Sequence, residues 1–319
     1  MSKEIKDRLV GCIYTVFTAF TISYEIDYEA IGKYIDHLYE TGARTFYVMP
    51  YNSRYSQLTS DEILSLNEFV IRRAKGLDQE NLVVVGDPIH CSTSESIKFA
   101  RHAREAGADV ISLIVREKYF TDSQIIEHFA TVGREGGLPI LVHEMPFLSG
   151  LNGKQMHWPE SLLNRLADVP EIIAIKEDAK DFQTACNILK LEPRMRVVMA
   201  GRKSSFIRYK GHGGVSYLNG ISMLDARIGV KFSQAYKSGD QDTIEYIMHK
   251  IEAPFFDKCA SKYGWHRTNK ALLQAAGLMH RRDRMPLQSL NEQEYEEVVE
   301  VYHEIQPFIE SLISDGSCK

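Results

Sequence analysis

The sequence predicts an α/β chain folded as a (β/α)8 TIM barrel with a C-terminal all-helical extension, and three observations carry that reading. Short runs rich in β-branched and apolar residues recur about every thirty residues, and segments with helical spacing separate them. After the eighth run only helical spacing remains. The runs are Gly11 to Phe17, Thr45 to Pro50, Leu82 to Gly86, Val110 to Val115, Pro139 to Glu144, Ile172 to Glu177, Arg196 to Gly201 and Gly213 to Leu218. Most are continuously apolar, as in Leu82-Val83-Val84-Val85, the pattern of strands covered on both faces.

The intervening segments carry helix logic. Ile31, Ile35 and Leu38 share one face, as do Ile63, Leu66 and Val70 after a Thr59-Ser60-Asp61-Glu62 start. Gly42 and Gly107 stand where helices stop. Alternating strands and helices imply parallel strands joined by right-handed crossovers. A closed barrel is preferred to an open doubly wound sheet because no dinucleotide fingerprint follows the first strand. Gly211-His212-Gly213-Gly214 lacks the third glycine and precedes a strand. Residues 1–221 are expected to form the barrel and 222–319 a helical region packed on it. The basic run His280-Arg281-Arg282-Asp283-Arg284 reads as a solvated helix end.

A formal charge of −5 argues against a nucleic-acid partner, which calls for a basic surface. No apolar run reaches the length of a membrane span, and Met1-Ser2-Lys3-Glu4-Ile5-Lys6 enters charged sequence directly. No membrane partner and a cytoplasmic location are therefore expected. Cys12, Cys91, Cys186, Cys259 and Cys318 are odd in number and form no CxxC pair, so neither a disulfide framework nor a zinc knuckle is implied.

A barrel places its chemistry at the C-terminal ends of its strands. Those ends carry Pro50-Tyr51-Asn52, Asp87, Arg116 to Tyr119, His143-Glu144, Lys176-Glu177-Asp178 and Arg202-Lys203. Lys176 directly follows the apolar Ile172-Ile173-Ala174-Ile175, and alternation can turn it inward with Ala174. Desolvation there favours the neutral amine, which attacks a carbonyl to form an imine. The opposing reading is a lysine leaving the strand for solvent, its stem lying over the rim. Position alone leaves the two even.

The order of these segments resembles the dihydrodipicolinate synthase and N-acetylneuraminate lyase family of class I Schiff-base aldolases. The most specific match is Ile173-Ala174-Ile175-Lys176-Glu177-Asp178, similar to the strand that bears the family's imine-forming lysine. Leu58 to Glu62, Tyr119, His128-Phe129, Pro139 to Pro146, Gly213-Gly214-Val215-Ser216 and Arg284-Met285-Pro286-Leu287 support it. The resemblance implies a small-molecule carbonyl substrate, no metal or other cofactor, and a homodimer or homotetramer. It also implies catalytic roles for Lys176, His143, Tyr119 and Tyr51, and substrate-binding roles for Asn52 and Val215.

The chain departs from the family in its pocket. Pro50-Tyr51-Asn52-Ser53-Arg54 replaces a Gly-Thr-Thr-Gly-Glu turn that grips the keto acid's carboxylate. His143 replaces a proton-shuttling tyrosine, and Leu148 an arginine common in the synthases. Gly201-Arg202-Lys203 stands where an acidic residue is usual. His143 is either a substitute general acid and base or a hydrogen-bonded barrel histidine. Arg54, Arg202 and Lys203 are solvated loop charges or a different anion site.

The leading expectation is a carbon-carbon or carbon-oxygen lyase acting on a 2-keto acid or related carbonyl compound through Lys176, with an altered carboxylate site. The alternatives are an inactive barrel that binds a metabolite or partner, and a metal-dependent barrel using Asp87, His143, Glu144, Glu177 or Asp178. Neighbours on a strand face opposite ways, which sets His143 against Glu144 in the metal reading.

Overall fold

The apolar runs form eight parallel strands that close on one another in sequence order, β1 pairing with β8 to complete the barrel. In this computed structural model the described residues are 2–49, 53–87, 92–115, 120–144, 157–178 and 181–314. The strands are β1 (Gly11–Thr15), β2 (Thr45–Val48), β3 (Leu82–Asp87), β4 (Val110–Leu113), β5 (Ile140–His143), β6 (Ile172–Glu177), β7 (Arg196–Met199) and β8 (Ser216–Leu218). Most are shorter than the apolar runs, because burial extends past the residues assigned to the strands, as at Val16 and Phe17.

Alternation divides the core in two. Ile13, Tyr47, Val84, Val110, Leu141, Ala174, Val198 and Leu218 fill the barrel, and Ile5 and Leu9 at the N-terminus join them. Tyr14, Phe46, Val83, Ile111, Ile140, Ile175 and Val197 face outward onto the helices. The helical faces read from the sequence are buried as expected, with Ile31, Ile35, Leu38, Ile63, Leu66 and Val70 at about zero exposure. Thr59 and Glu62 form a reciprocal capping box at the start of helix Ser60–Leu77.

Two expectations need correcting. Helix Ala226–Ser238 follows β8 and lies against β1, where Tyr14 donates to the Ala226 carbonyl at 2.9 Å. The barrel's own last helix therefore falls beyond residue 221, inside the segment expected to be the extension. The basic run at 280–284 is not a helix end. It lies in the irregular stretch between helices Trp265–Ala275 and Glu292–Ser314, with Arg281 and Asp283 buried.

That stretch fastens the C-terminal region to the rim. Lys270 donates to Asp283 at 3.1 Å and to the Thr18 carbonyl just past β1 at 2.9 Å, and His266 bonds Asp283 at 3.0 Å. Arg284 reaches Glu62 at 2.7 Å, and Arg282 reaches the Phe20 carbonyl at 3.1 Å. Burial alone would raise the Asp283 carboxyl, but the His266 bond and the Lys270 charge hold it down at about 2. A carboxylate depressed in the fold contributes stability that is fully present above its unfolded pKa and is lost as pH falls from there through the folded value of about 2. Lys270→Met is expected to lower unfolding free energy by about 3–5 kcal/mol, the usual effect of stranding one member of a buried ion pair. Urea denaturation measures it; a loss below about 1 kcal/mol would contradict the fastening role.

Candidate active site

The site begins with a register shift. Ile140 pairs with Ile172, but Leu141 pairs with Ala174, so β6 holds one residue more than β5 at that point. Consecutive residues Ile173 and Ala174 consequently both join the inner cluster. A bulge re-aims every side chain after it. Here it places Lys176 opposite His143, both turned inward at the C-terminal rim.

Lys176 Nζ lies 2.7 Å from His143 Nε2 and 3.1 Å from Asp178 Oδ2. His143 Nε2 is 3.3 Å from the same Asp178 oxygen. All three residues are buried. Nε2 plays one role at a time: its lone pair accepts from the Lys176 ammonium, or its N–H donates to Asp178. The two roles belong to the two neutral tautomers of the ring, and a proton passed from Nζ to Nε2 of the accepting tautomer gives the imidazolium. Burial, then the neighbouring Lys176 charge, pulls His143 down to about 4, against the pull of Asp178. At neutral pH the imidazole is thus unprotonated and able to accept.

Inside the barrel, Tyr47 Oη and Ser112 Oγ are 2.6 Å apart. Burial raises the Tyr47 phenol, the Ser112 bond lowers it, and the Asp178 charge raises it further. Glu144 turns away from His143, as alternation requires, and accepts from the Trp158 amide at 3.1 Å beside His157 at 3.3 Å. Its carboxyl is raised, chiefly by burial. Among the described residues no group of three or more His, Cys, Asp or Glu side chains is disposed to hold a metal ion. Asp87, His143, Glu144, Glu177 and Asp178, the residues of the metal-dependent reading, thus form no such group among the described residues.

The other expected site residues that are described do not join this trio. Tyr51, Asn52, Tyr119 and Leu148 lie outside the described residues. Val215 precedes β8 and its carbonyl accepts from the Gly11 amide at 2.7 Å, at the opposite end of the barrel from Lys176. The aligned position was read as part of a strand that begins one residue later, which is why it misled. Arg202 pairs with Asp257 at 2.7 Å and lies over the Phe256 ring. Lys203 is buried, donating to the Asn219 carbonyl at 3.2 Å with Glu252 at 3.6 Å. Both cations bind the C-terminal region rather than an anion at the mouth. Arg54 adopts a left-handed backbone (φ 50°), and its charge helps lower His266, after the larger effect of burial.

Tyr47 and Ser53 were not singled out in the sequence, and Asp178 entered only as a strand-end residue and a possible metal ligand. Asp178 repeats the inward phase of Lys176 two residues on, and Tyr47 the inward phase of β2. Ser53 gave no sequence signal, yet its hydroxyl donates to the Val16 carbonyl at 2.6 Å and accepts from the Met49 amide at 3.0 Å. Thr18 holds the Ser53 carbonyl at 2.8 Å. Gly86 allows this turn, since a Cβ there would stand 2.2 Å from the Met49 carbonyl oxygen.

The dihydrodipicolinate synthetase family model matches residues 8–305. The 4-hydroxy-tetrahydrodipicolinate synthase of Archaeoglobus fulgidus is 25% identical over 292 residues, covering 91% of this chain and 96% of the relative. That of Bacillus velezensis is 28% identical over 291 residues, covering 89% and 96%. The structure of dihydrodipicolinate synthase from Bacillus clausii superposes with a TM-score of 0.80 at 19% identity, over 95% of this chain and 99% of that one. N-acetylneuraminate lyase from Mycoplasma synoviae gives 0.79 at 15% identity, over 94% and 98%. With a family match over nearly its whole length and a closed eight-stranded parallel barrel, the chain belongs to the dihydrodipicolinate synthetase family, whose members are lyases of the aldolase type.

Proposed function

We propose that this protein is a Schiff-base-forming lyase acting on a 2-keto acid or related carbonyl compound, with Lys176 as the nucleophile and His143 as general acid and base. The observation that carries the reading is the 2.7 Å contact between Lys176 Nζ and His143 Nε2 inside the rim. It gives the amine an immediate proton acceptor, which a lysine bound for solvent would not need.

The steps balance. The ammonium passes one proton to His143, and the free amine adds to the carbonyl carbon. The added nitrogen gives a second proton to the carbonyl oxygen, forming a carbinolamine. That hydroxyl leaves as water with the proton held on His143. Two of the three ammonium hydrogens depart in the water and one stays on the iminium nitrogen. The iminium then withdraws electrons from the bond to be broken. The expected assembly, a homodimer or homotetramer, rests on the family resemblance alone.

The test is reduction with borohydride in the presence of pyruvate, glyoxylate, 2-oxobutyrate and 2-oxoglutarate, followed by peptide mass spectrometry. A reduced adduct on Lys176 with at least one of them is expected, and none on a Lys176→Ala variant. No adduct with any member of the panel would sink the proposal. His143→Gln is expected to slow adduct formation by about 10²–10⁴-fold, the usual contribution of one acid-base group. The pH profile of kcat/KM gives a further check, since it reports the free enzyme. Protonating His143 removes the acceptor, so the rate falls as pH drops through its pKa. The acid limb is expected near about 4 rather than at an ordinary histidine's value; a limb centred at about 6.5 would contradict the role given to His143.

A further inference from the structure

Forming the imine changes the hydrogen-bond arithmetic at Lys176. The ammonium has three N–H groups, enough to serve both His143 at 2.7 Å and Asp178 at 3.1 Å. The iminium has one. Two acceptors compete for it, a neutral imidazole and a carboxylate, and the charge-assisted bond to the carboxylate is the stronger. Asp178 is reached without a conformational change, because its side chain leaves the inward face of the chain two residues after Lys176.

We infer that Asp178 is the counter-ion of the protonated imine, and that by taking the single iminium N–H it releases His143 to move protons on the substrate. The inference rests on Lys176 forming an imine. In the resting site Asp178 serves both partners, lying 3.3 Å from His143 Nε2 as well as beside the amine. Among the described residues, the groups facing Asp178 include His143 from β5 and Lys176 from β6, with Tyr47 from β2 and Glu144 beyond β5 near enough for its charge to raise both of them. Of these, Asp178 is the carboxylate within hydrogen-bond distance of Lys176 Nζ, whereas Glu144 is engaged by Trp158 and His157, so neutralising the iminium falls to Asp178.

The test compares wild type with Asp178→Asn, using whichever keto acid of the panel above labels wild-type Lys176 fastest, and cyanoborohydride, which reduces only the protonated imine. Labelling rates are recorded between about pH 6 and pH 10. An opposite charge at this range shifts a pKa by about 1–3 units. The pH at which labelling is half lost is therefore expected to fall by about 1–3 units in the variant, with about tenfold or greater loss of labelling at the alkaline end. Superimposable profiles on two labelled proteins would overturn the assignment of Asp178 and leave the lyase reading standing. No labelling of the wild type would overturn both. Should the variant not fold, Raman spectra of the wild-type adduct decide: the C=N stretch should shift in D2O at about pH 9, and an unshifted band would overturn the assignment.

Discussion

A lysine can be buried at the mouth of a barrel only where groups beside it take up its hydrogens, because an ammonium removed from water without partners is too unstable to persist. Among the described residues that requirement is met by an imidazole and a carboxylate, His143 and Asp178, each within hydrogen-bond reach of Lys176 Nζ and of each other. The arrangement depends on strand register. Without the extra residue in β6 between Ile172 and Ala174, Lys176 would pass His143 by one position and face the helices. The bulge is thus the structural cause of the site, and the barrel's closure holds it, since no strand has a free edge along which to slip.

Around this trio a second set of buried charges serves a different end. Lys270, Asp283 and His266 bind the exit of β1, and Lys203 with Glu252 binds the turns after β7 and β8. In each set the lysine donates to a main-chain carbonyl of a rim segment as well as meeting a carboxylate. They therefore specify loop position in a way that apolar contacts would not. Lys176 differs from both in having a titratable base as its shortest contact. On the proposed reading, that difference separates a lysine placed for proton transfer from one placed for anchorage.

The barrel was readable in the sequence because strands covered on both faces must be apolar throughout, and eight such runs stand out from Gly11 to Leu218. Lys176 was readable for the same reason, as a charge ending an apolar strand. Its alignment with His143 was not, since a bulge leaves no compositional trace between Ile172 and Ala174. Asp178 was in view, but its inward direction depends on continuing the strand's alternation past Glu177, the last paired residue. Arg202, Lys203 and the 280–284 run were misread because nothing local marks their partners. Asp257, Glu252 and Glu62 lie 49 residues or more away in sequence, brought close by the fold. Val215 shows the limit of position-matching, as a residue one step before β8 belongs to the other end of the barrel.

The central claim is that Lys176 bonds covalently to its substrate while His143 and Asp178 remain in place around it. A crystal structure of the protein soaked with the keto acid that labels it tests this most directly. The account predicts unbroken density from Lys176 Nζ to the substrate carbon, with the iminium nitrogen within hydrogen-bond distance of Asp178 and His143 turned to the substrate. An occupied pocket with Lys176 still an unmodified amine bonded to His143 would contradict it.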